Sequence, residues 1–251
     1  MQAVILAGGL GTRISEETIN KPKPLIEIGY KPILWHIMKA YSNHGVNNFL
    51  ICVGYKGELI KEYFGNYLDN TSDIEIDLKS NEIKYLNKHN DNWKIKIIDT
   101  GQETNTGGRI KKVEKYLDED FFLTYGDGVS SVNISETLNF HLKHKKISTM
   151  TIVRQPGRFG SVKISNNNDV EQFLEKPFGD EGWINGGFFV FNKRILDYLD
   201  DNSVLEKKPL ETLAKIGELK SFKHNGFWYS LDSLRDKFVL EDYFKKHGKF
   251  Y

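Results

Sequence analysis

A chain of 251 residues can bury a sizeable core and lies within the range of one α/β domain. Lys and Arg total 35 against 34 Asp and Glu, so no global basic field exists to hold a nucleic-acid backbone, and an anionic ligand must be met by local charge. The single cysteine, Cys52, cannot form an intrachain disulfide, and no basic n-region or run of about 18 apolar residues occurs, which leads us to expect a cytoplasmic chain with no membrane anchor.

Ala3 to Leu6 form a continuous apolar run stopping at Gly8-Gly9, the pattern of a parallel strand buried on both faces. Pro32 to His44 has helical spacing and ends at Gly45; Asn48 to Val53 is a second strand and Lys56 to Phe64 a second helix. From Asp73 to Asp99 short strands predict an edge excursion from the main sheet. A helix over Gly108 to Tyr116, a strand over Phe121 to Thr124, a helix over Ile134 to Lys143 and a strand over Ser148 to Val153 follow. The remainder is rich in strands, at SVKI, VEQFLE, INGGFFVFN and LKSFKH, with helices around Pro209 to Ile216 and Leu231 to Lys246. The repeated strand-then-helix order predicts a doubly wound, mainly parallel α/β sheet of the Rossmann-like kind, with a β-rich acceptor-binding layer in the second half. One domain over residues 1–251 is expected, its nucleotide-binding part reaching to about residue 130 and its acceptor-binding part covering about 131–251.

In open α/β sheets ligands bind beyond the carboxyl ends of the strands, which singles out four places, Gly8 to Arg13, Thr106 to Arg109, Gly126 to Gly128 and Glu175 to Gly187. Gly8, Gly9 and Gly11 allow backbone amides to face phosphate oxygens, and Arg13 offers a fork of donors, although a glycine-rich turn alone serves equally as a structural turn. Lys21-Pro22-Lys23-Pro24 presents two cations on a backbone restricted at each proline. Asp127, between glycines after a buried strand, suits Mg²⁺, which favours a few carboxylates plus phosphate oxygens; a turn-forming Asp has the same appearance. Asp232 is a candidate second carboxylate and equally a helix N-cap. Glu175-Lys176 and Asn185-Gly186 could meet an acceptor, and the former could be a surface ion pair. Cys52 reads as core, and His141 and His144 as a solvated helix face.

Taken together, these segments resemble the sugar-1-phosphate nucleotidyltransferase family, on AVILAGGLGTR at 3–13, KPKPL at 21–25, YKPIL at 30–34, YGDG at 125–128, EKP at 175–177 and INGGFFVF at 184–191. Within it the chain is most similar to the cytidylyltransferases, on ISEET at 14–18, KPILWHIMK at 31–39, GYKGELIKEYF at 54–64, TGGR at 106–109, PGRFG at 156–160 and the GFW and LRDK segments between 226 and 237. The resemblance implies CTP as donor and a phosphorylated acceptor, glucose 1-phosphate first and another sugar phosphate or small phosphorylated metabolite as the alternative, with surface polysaccharide as the destination. It implies that Leu6, Gly8, Gly9, Gly11, Thr12 and Arg13 meet the nucleotide, with Lys23 at the α-phosphate and Gly107, Gly108 and Arg109 near base or phosphates. Asp127 and Asp232 would hold Mg²⁺, and Glu175, Lys176, Asn185 and Gly186 would receive the acceptor. A non-catalytic subunit on the same fold would lack Lys23, Asp127 or Asp232, and all three are present. The family is usually glycine at Tyr30 and proline at Gln155, and a tryptophan is replaced near Leu205; the last two departures bear on the acceptor. A homo-oligomer is expected, and Tyr243, Phe244, Phe250 and Tyr251 would cover either a partner or the chain's own core.

Overall fold

The run Ala3–Ala7 is the first strand, β1, and is buried at every position because both of its faces meet core. Ala3, Ile5 and Ala7 enter one hydrophobic cluster, while Val4 and Leu6 enter the other. The computed structural model describes residues 1–87, 91–155, 161–165, 167, 169–174 and 182–251. Its central sheet continues with β2 (Asn48–Val53), β3 (Lys94–Asp99), β4 (Asp120–Tyr125), β5 (Ser148–Val153), β6 (Ile184–Asn192) and β7 (Leu219–Lys223), in the spatial order β7-β5-β6-β4-β1-β2-β3. Within the sheet β6 alone runs antiparallel to its neighbours β4 and β5; the other pairings are parallel. The carboxyl ends of β1 to β4 therefore meet the amino end of β6 along one edge of the sheet.

Helices cover both faces, as a doubly wound sheet requires. Against the cluster containing Ile5 lie α1 (Ile33–Ser42), α2 (Gly57–Gly65), α4 (Ile134–His144) and α6 (Leu234–His247), which contribute Ile37, Ile60, Ile134 and Leu240. Against the cluster containing Leu6 lie α3 (Thr106–Lys112) and α5 (Lys208–Lys215), through Ile110, Leu210 and Leu213. Among the described residues the Ser161–Ile164 and Val170–Leu174 strands pair only with each other, whereas β5, β6 and β7 of the strand-rich second half extend the same sheet as β1.

Three expectations need correction. The Asp73 to Asp99 stretch is not one excursion: Ile74–Asp77 and Glu82–Tyr85 form a separate exposed hairpin, but Lys94–Asp99 pairs in parallel with β2 and belongs to the main sheet. Its alternation of exposed and half-buried residues is that of an edge strand covered on one face, which mimics a surface ribbon in sequence. His141 and His144 are not solvated. Their i,i+3 spacing turns both inward over β5, where His141 Nδ1 and His144 Nε2 both reach Thr149 Oγ1, at 2.9 and 2.7 Å. Asp232 is not the cap of α6, because Ser233 accepts the capping bond from the Asp236 amide.

The C-terminal aromatics cover the chain's own core. Phe250 is buried, and Tyr243 stacks on Phe227 with ring centroids 3.6 Å apart. His36 lies edge-on to Phe244 and Phe250 while its Nε2 meets the Ile28 carbonyl at 2.8 Å. Burial pushes the pKa of His36 down to about 4, and burial with neighbouring His144 does the same to His141. A histidine whose folded pKa lies below its ordinary value stabilises the fold fully above about pH 6.5 and loses that contribution as pH falls toward 4. Urea unfolding should accordingly give lower stability at pH 5 than at pH 7, with His141→Asn shrinking the difference; equal stability at both would show that neither imidazole is held neutral.

Candidate active site

The loop after β1 is shaped by two glycines. Gly11 has φ +66°, and a Cβ on Gly8 would lie 2.1 Å from Nη1 of Arg109. Thr12–Ile14 then makes one 3-10 turn and leaves Arg13 exposed. Thr18 fastens the loop by donating from Oγ1 to the carbonyls of Gly11 and Ile14, each at 3.1 Å. Further on, Pro22 is extended and Lys23–Leu25 forms another 3-10 turn, closed by Leu25 N–H donating to Pro22 at 2.8 Å. This turn carries the Lys23 side chain under the edge of the sheet.

Two carboxylates converge on it. Lys23 Nζ donates to Asp127 Oδ2 at 2.7 Å and to Asp232 Oδ1 at 2.8 Å. Asp127 reaches this point directly from the end of β4. Asp232 is brought by the short ribbon in which Gly128 pairs with Ser230, and Leu231 N–H donates to the Asp127 carbonyl at 2.9 Å. Ser230 Oγ donates to the second oxygen of Asp232 at 3.0 Å, and Arg13 Nη1 stands 3.6 Å from the first. Burial opposes the charge on Lys23, but the two carboxylates outweigh it and raise its pKa above the ordinary lysine value. Burial likewise opposes ionisation of Asp232, and Lys23, Ser230 and Arg13 outweigh it, so its pKa is lowered. The centre holds a cation between two anions.

Around this centre opens a cleft of about 710 Å³, within the size range of small-molecule sites. It is lined by Leu6, Gly8, Gly9, Gly11, Thr12, Arg13, Lys23, Arg109, Asp127, Asn185 and Asp232, all singled out in the sequence. Thr106, which opens the Thr106 to Arg109 stretch singled out in the sequence, lines it too, as do Thr104, Asn105, Tyr125, Glu206, Trp228 and Ser230, which were not singled out. Tyr125 had a signal, standing immediately before Gly126-Asp127; Glu206 had none, because it follows the buried Leu205 in an irregular stretch between β6 and α5.

Gly107 and Gly108 do not face the cleft. A Cβ on Gly107 would lie 2.8 Å from Ser203 and one on Gly108 2.2 Å from the Asp201 carbonyl, so both glycines serve the packing of α3 on that turn. Gly186 is buried, and its carbonyl accepts the Trp228 indole N–H at 2.6 Å. Arg109 lines the wall but is buried, and its guanidinium donates to the carbonyls of Gly8, Val53, Gly101 and Gln102 and to Thr100 Oγ1, at 2.7 to 3.2 Å. Glu175 and Lys176 lie outside the described residues. Leu205, one of the two departures tied to the acceptor, is fully buried in the core beside α3 and α5.

Residues 2–228 match the Nucleotidyl transferase family. The chain belongs to that family. It is 52% identical over 249 residues to a glucose-1-phosphate cytidylyltransferase of Salmonella typhimurium, covering 98% of this chain and 96% of that protein. It is 44% identical over 239 residues to a probable glucose-1-phosphate cytidylyltransferase of Bacillus subtilis, covering 94% and 93%. Among solved structures it is similar to HddC of Yersinia pseudotuberculosis complexed with GMP-PN, with a TM-score of 0.69 and 25% identity over 97% of this chain and 99% of that one. Nucleotidyl transferases generally use a divalent metal. The donor set here suits one: two carboxylates that already converge on a single cation, with room left for phosphate oxygens and water. Among the described residues no group of three or more His, Cys, Asp and Glu side chains could hold a metal, so Asp127 and Asp232 would act as a pair with substrate. Among the same residues no helix is long and apolar enough to cross a membrane.

Proposed function

We infer that this chain is a glucose-1-phosphate cytidylyltransferase, transferring CMP from CTP to glucose 1-phosphate with release of pyrophosphate and formation of CDP-glucose. The observation that carries the reading is the 52% identity, over nearly all of both chains, to a protein of that name. The convergence of Lys23, Asp127 and Asp232 in the cleft supports the same chemistry.

An oxygen of the acceptor phosphate attacks the α-phosphorus of CTP in line; the new O–P bond forms as the bond to pyrophosphate breaks. A phosphate is already ionised at neutral pH, so positioning and charge neutralisation are what the protein must supply. In this reading Lys23 meets the α-phosphate and Arg13 the outgoing phosphates. Leu6, Gly8, Gly9, Gly11 and Thr12 seat the nucleotide, and Arg109 holds the floor beneath it. Asn185 meets the acceptor, with Glu175 and Lys176 completing that end. Mg²⁺ on Asp127 and Asp232 would neutralise phosphate charge when bound. We take residues up to about 130 as the nucleotide-binding part and the rest as the acceptor-binding part of a cytoplasmic homo-oligomer serving surface polysaccharide synthesis.

Steady-state pyrophosphate release tests the reading with CTP, UTP, dTTP and ATP against a panel of sugar phosphates. CTP with glucose 1-phosphate is expected to give the highest kcat/KM. Preference for another base would overturn the donor, and preference for another phosphorylated acceptor would replace glucose 1-phosphate while keeping the reaction.

A further inference from the structure

The segment LRDK at 234–237 opens α6, and the proposed transfer gives it no role. Ser233 caps that helix by accepting the Asp236 amide at its Oγ, 3.3 Å away, and donates in return to Asp236 Oδ2 at 2.8 Å. In a capping box the side chain at the third helical position takes the backbone N–H of the cap residue. Asp236 reaches one residue further back. Its Oδ2 accepts the backbone N–H of Asp232 at 3.1 Å, and its Oδ1 accepts the Tyr229 hydroxyl at 3.2 Å. One carboxylate thus takes donors from both ends of the segment Tyr229 to Ser233, which carries Asp232 into the cleft.

The bond falls at a junction. Up to Ser230 the chain is held by pairing with Gly128, and Leu231 N–H still donates to the Asp127 carbonyl. From Leu234 onward it is helix. Asp232 stands between the two, and its amide goes to a side chain rather than to a ladder partner. Both oxygens of its own carboxylate are in use toward the cleft, Oδ1 by Lys23 and Oδ2 by Ser230. A bond to the backbone amide orients Asp232 without taking either oxygen. The helix that supplies this bond is itself fixed: Leu240 is buried in the core, and Lys237 Nζ donates at 2.6 Å to Glu17, on the turn after Arg13.

We propose that Asp236 is a positioning residue for the nucleotidyl transfer, holding the Asp232 backbone so that the Asp232 carboxylate stays aimed beside Asp127 for a divalent cation. The proposal rests on the reading of Asp127 and Asp232 as the pair that would hold that cation.

The metal response, read both without turnover and with it, decides the matter. Melting curves of the full chain are taken with CTP alone and with CTP plus Mg²⁺, no acceptor being present. Steady-state rates are measured while Mg²⁺ is titrated, with the sugar phosphate that wild type turns over best. Wild type and Asp232→Ala set the limits: Mg²⁺ should add to the CTP-dependent rise in melting temperature in the first and add little in the second. Asp236→Ala is expected to raise the Mg²⁺ concentration for half-maximal rate by about 10-fold, the lower end of what losing the support of a metal ligand costs. It should also lose most of the Mg²⁺ increment in melting temperature, with the acceptor KM nearly unchanged. Asp236→Asn, whose amide oxygen can still take the Asp232 N–H, should recover most of both. Ser233→Ala removes the helix cap and should lower the melting temperature of the unliganded chain without moving the Mg²⁺ dependence. An unchanged Mg²⁺ dependence in Asp236→Ala, or one moved as far by Ser233→Ala, would overturn the proposal and leave the metal pair standing. A Mg²⁺ increment absent from wild type, or intact in Asp232→Ala, would overturn the reading beneath it and the proposal with it. Should Asp236→Ala fail to fold, Asp236→Ser, whose hydroxyl is too short to reach the Asp232 amide, decides by the same criteria.

Discussion

Lys23→Ala is expected to lower kcat by at least about 10³-fold, equivalent to about 4 kcal/mol of transition-state stabilisation, while the chain stays folded. The Lys23 side chain is only 12% exposed, and its ammonium is fixed by two charge-assisted bonds to Asp127 and Asp232, so it is already oriented before substrate arrives. Its pKa is raised above the ordinary lysine value, so it is charged at pH 6 and at pH 8 alike and the loss should be as deep at either. Removing it leaves two carboxylates facing each other with Arg13, 80% exposed and 3.6 Å from Asp232, as the cation paired with them among the described residues. Because Asp127 and Asp232 are about 30% exposed, solvent moderates that repulsion, and the stability cost should be only about 1–2 kcal/mol. Lys23→Arg should not restore turnover, since a planar fork cannot occupy the point between two converging carboxylates as a compact ammonium does. Near-normal kcat in Lys23→Ala, measured alongside its melting temperature, would remove Lys23 from the chemistry.

Local sequence was sufficient where a signal was complete within a few residues. The run Ala3–Ala7 announced a strand buried on both faces, and its two sets of alternating residues do enter two different cores. Lys23 and Asp127 were legible from their prolines and glycines. Asp232 was legible as a residue type, but what places it against Lys23 is the pairing of Gly128 with Ser230, a contact about a hundred residues long in sequence that no local pattern encodes. The same limit hid Glu206, whose partners Thr106 and Tyr125 come from two other segments. Glycine was the least reliable guide. Gly8 and Gly107 look alike in sequence, yet one lets Arg109 approach a loop and the other lets α3 approach the turn at Ser203.

Arg109 is where reading a charge as a ligand contact and reading it as a scaffold give opposite expectations. An arginine that only met phosphate would be stability-neutral in the absence of nucleotide. The geometry predicts instead that Arg109→Ala costs about 3–5 kcal/mol and lowers the melting temperature of the unliganded chain by roughly 6–15 °C. The guanidinium bonds the carbonyl of Gly8 after β1, that of Val53 at the end of β2, and those of Gly101 and Gln102 beyond β3, so its removal frees three adjacent loops at once. Burial pulls its pKa down, with Cys52 and Asp99 acting in the other direction, but a guanidinium begins so high that it remains charged at neutral pH. Arg109→Lys should rescue little, because a single ammonium cannot span carbonyls on both sides of the fork. Loosening the Gly8 carbonyl should also raise the KM for CTP, since the amides of that loop are the nucleotide's seat in the proposed reaction. A variant with weakened CTP binding but an unchanged melting temperature would assign Arg109 to the ligand; a drop in both, shared by Gly8→Ala because its Cβ would strike Nη1 at 2.1 Å, would assign it to the loop.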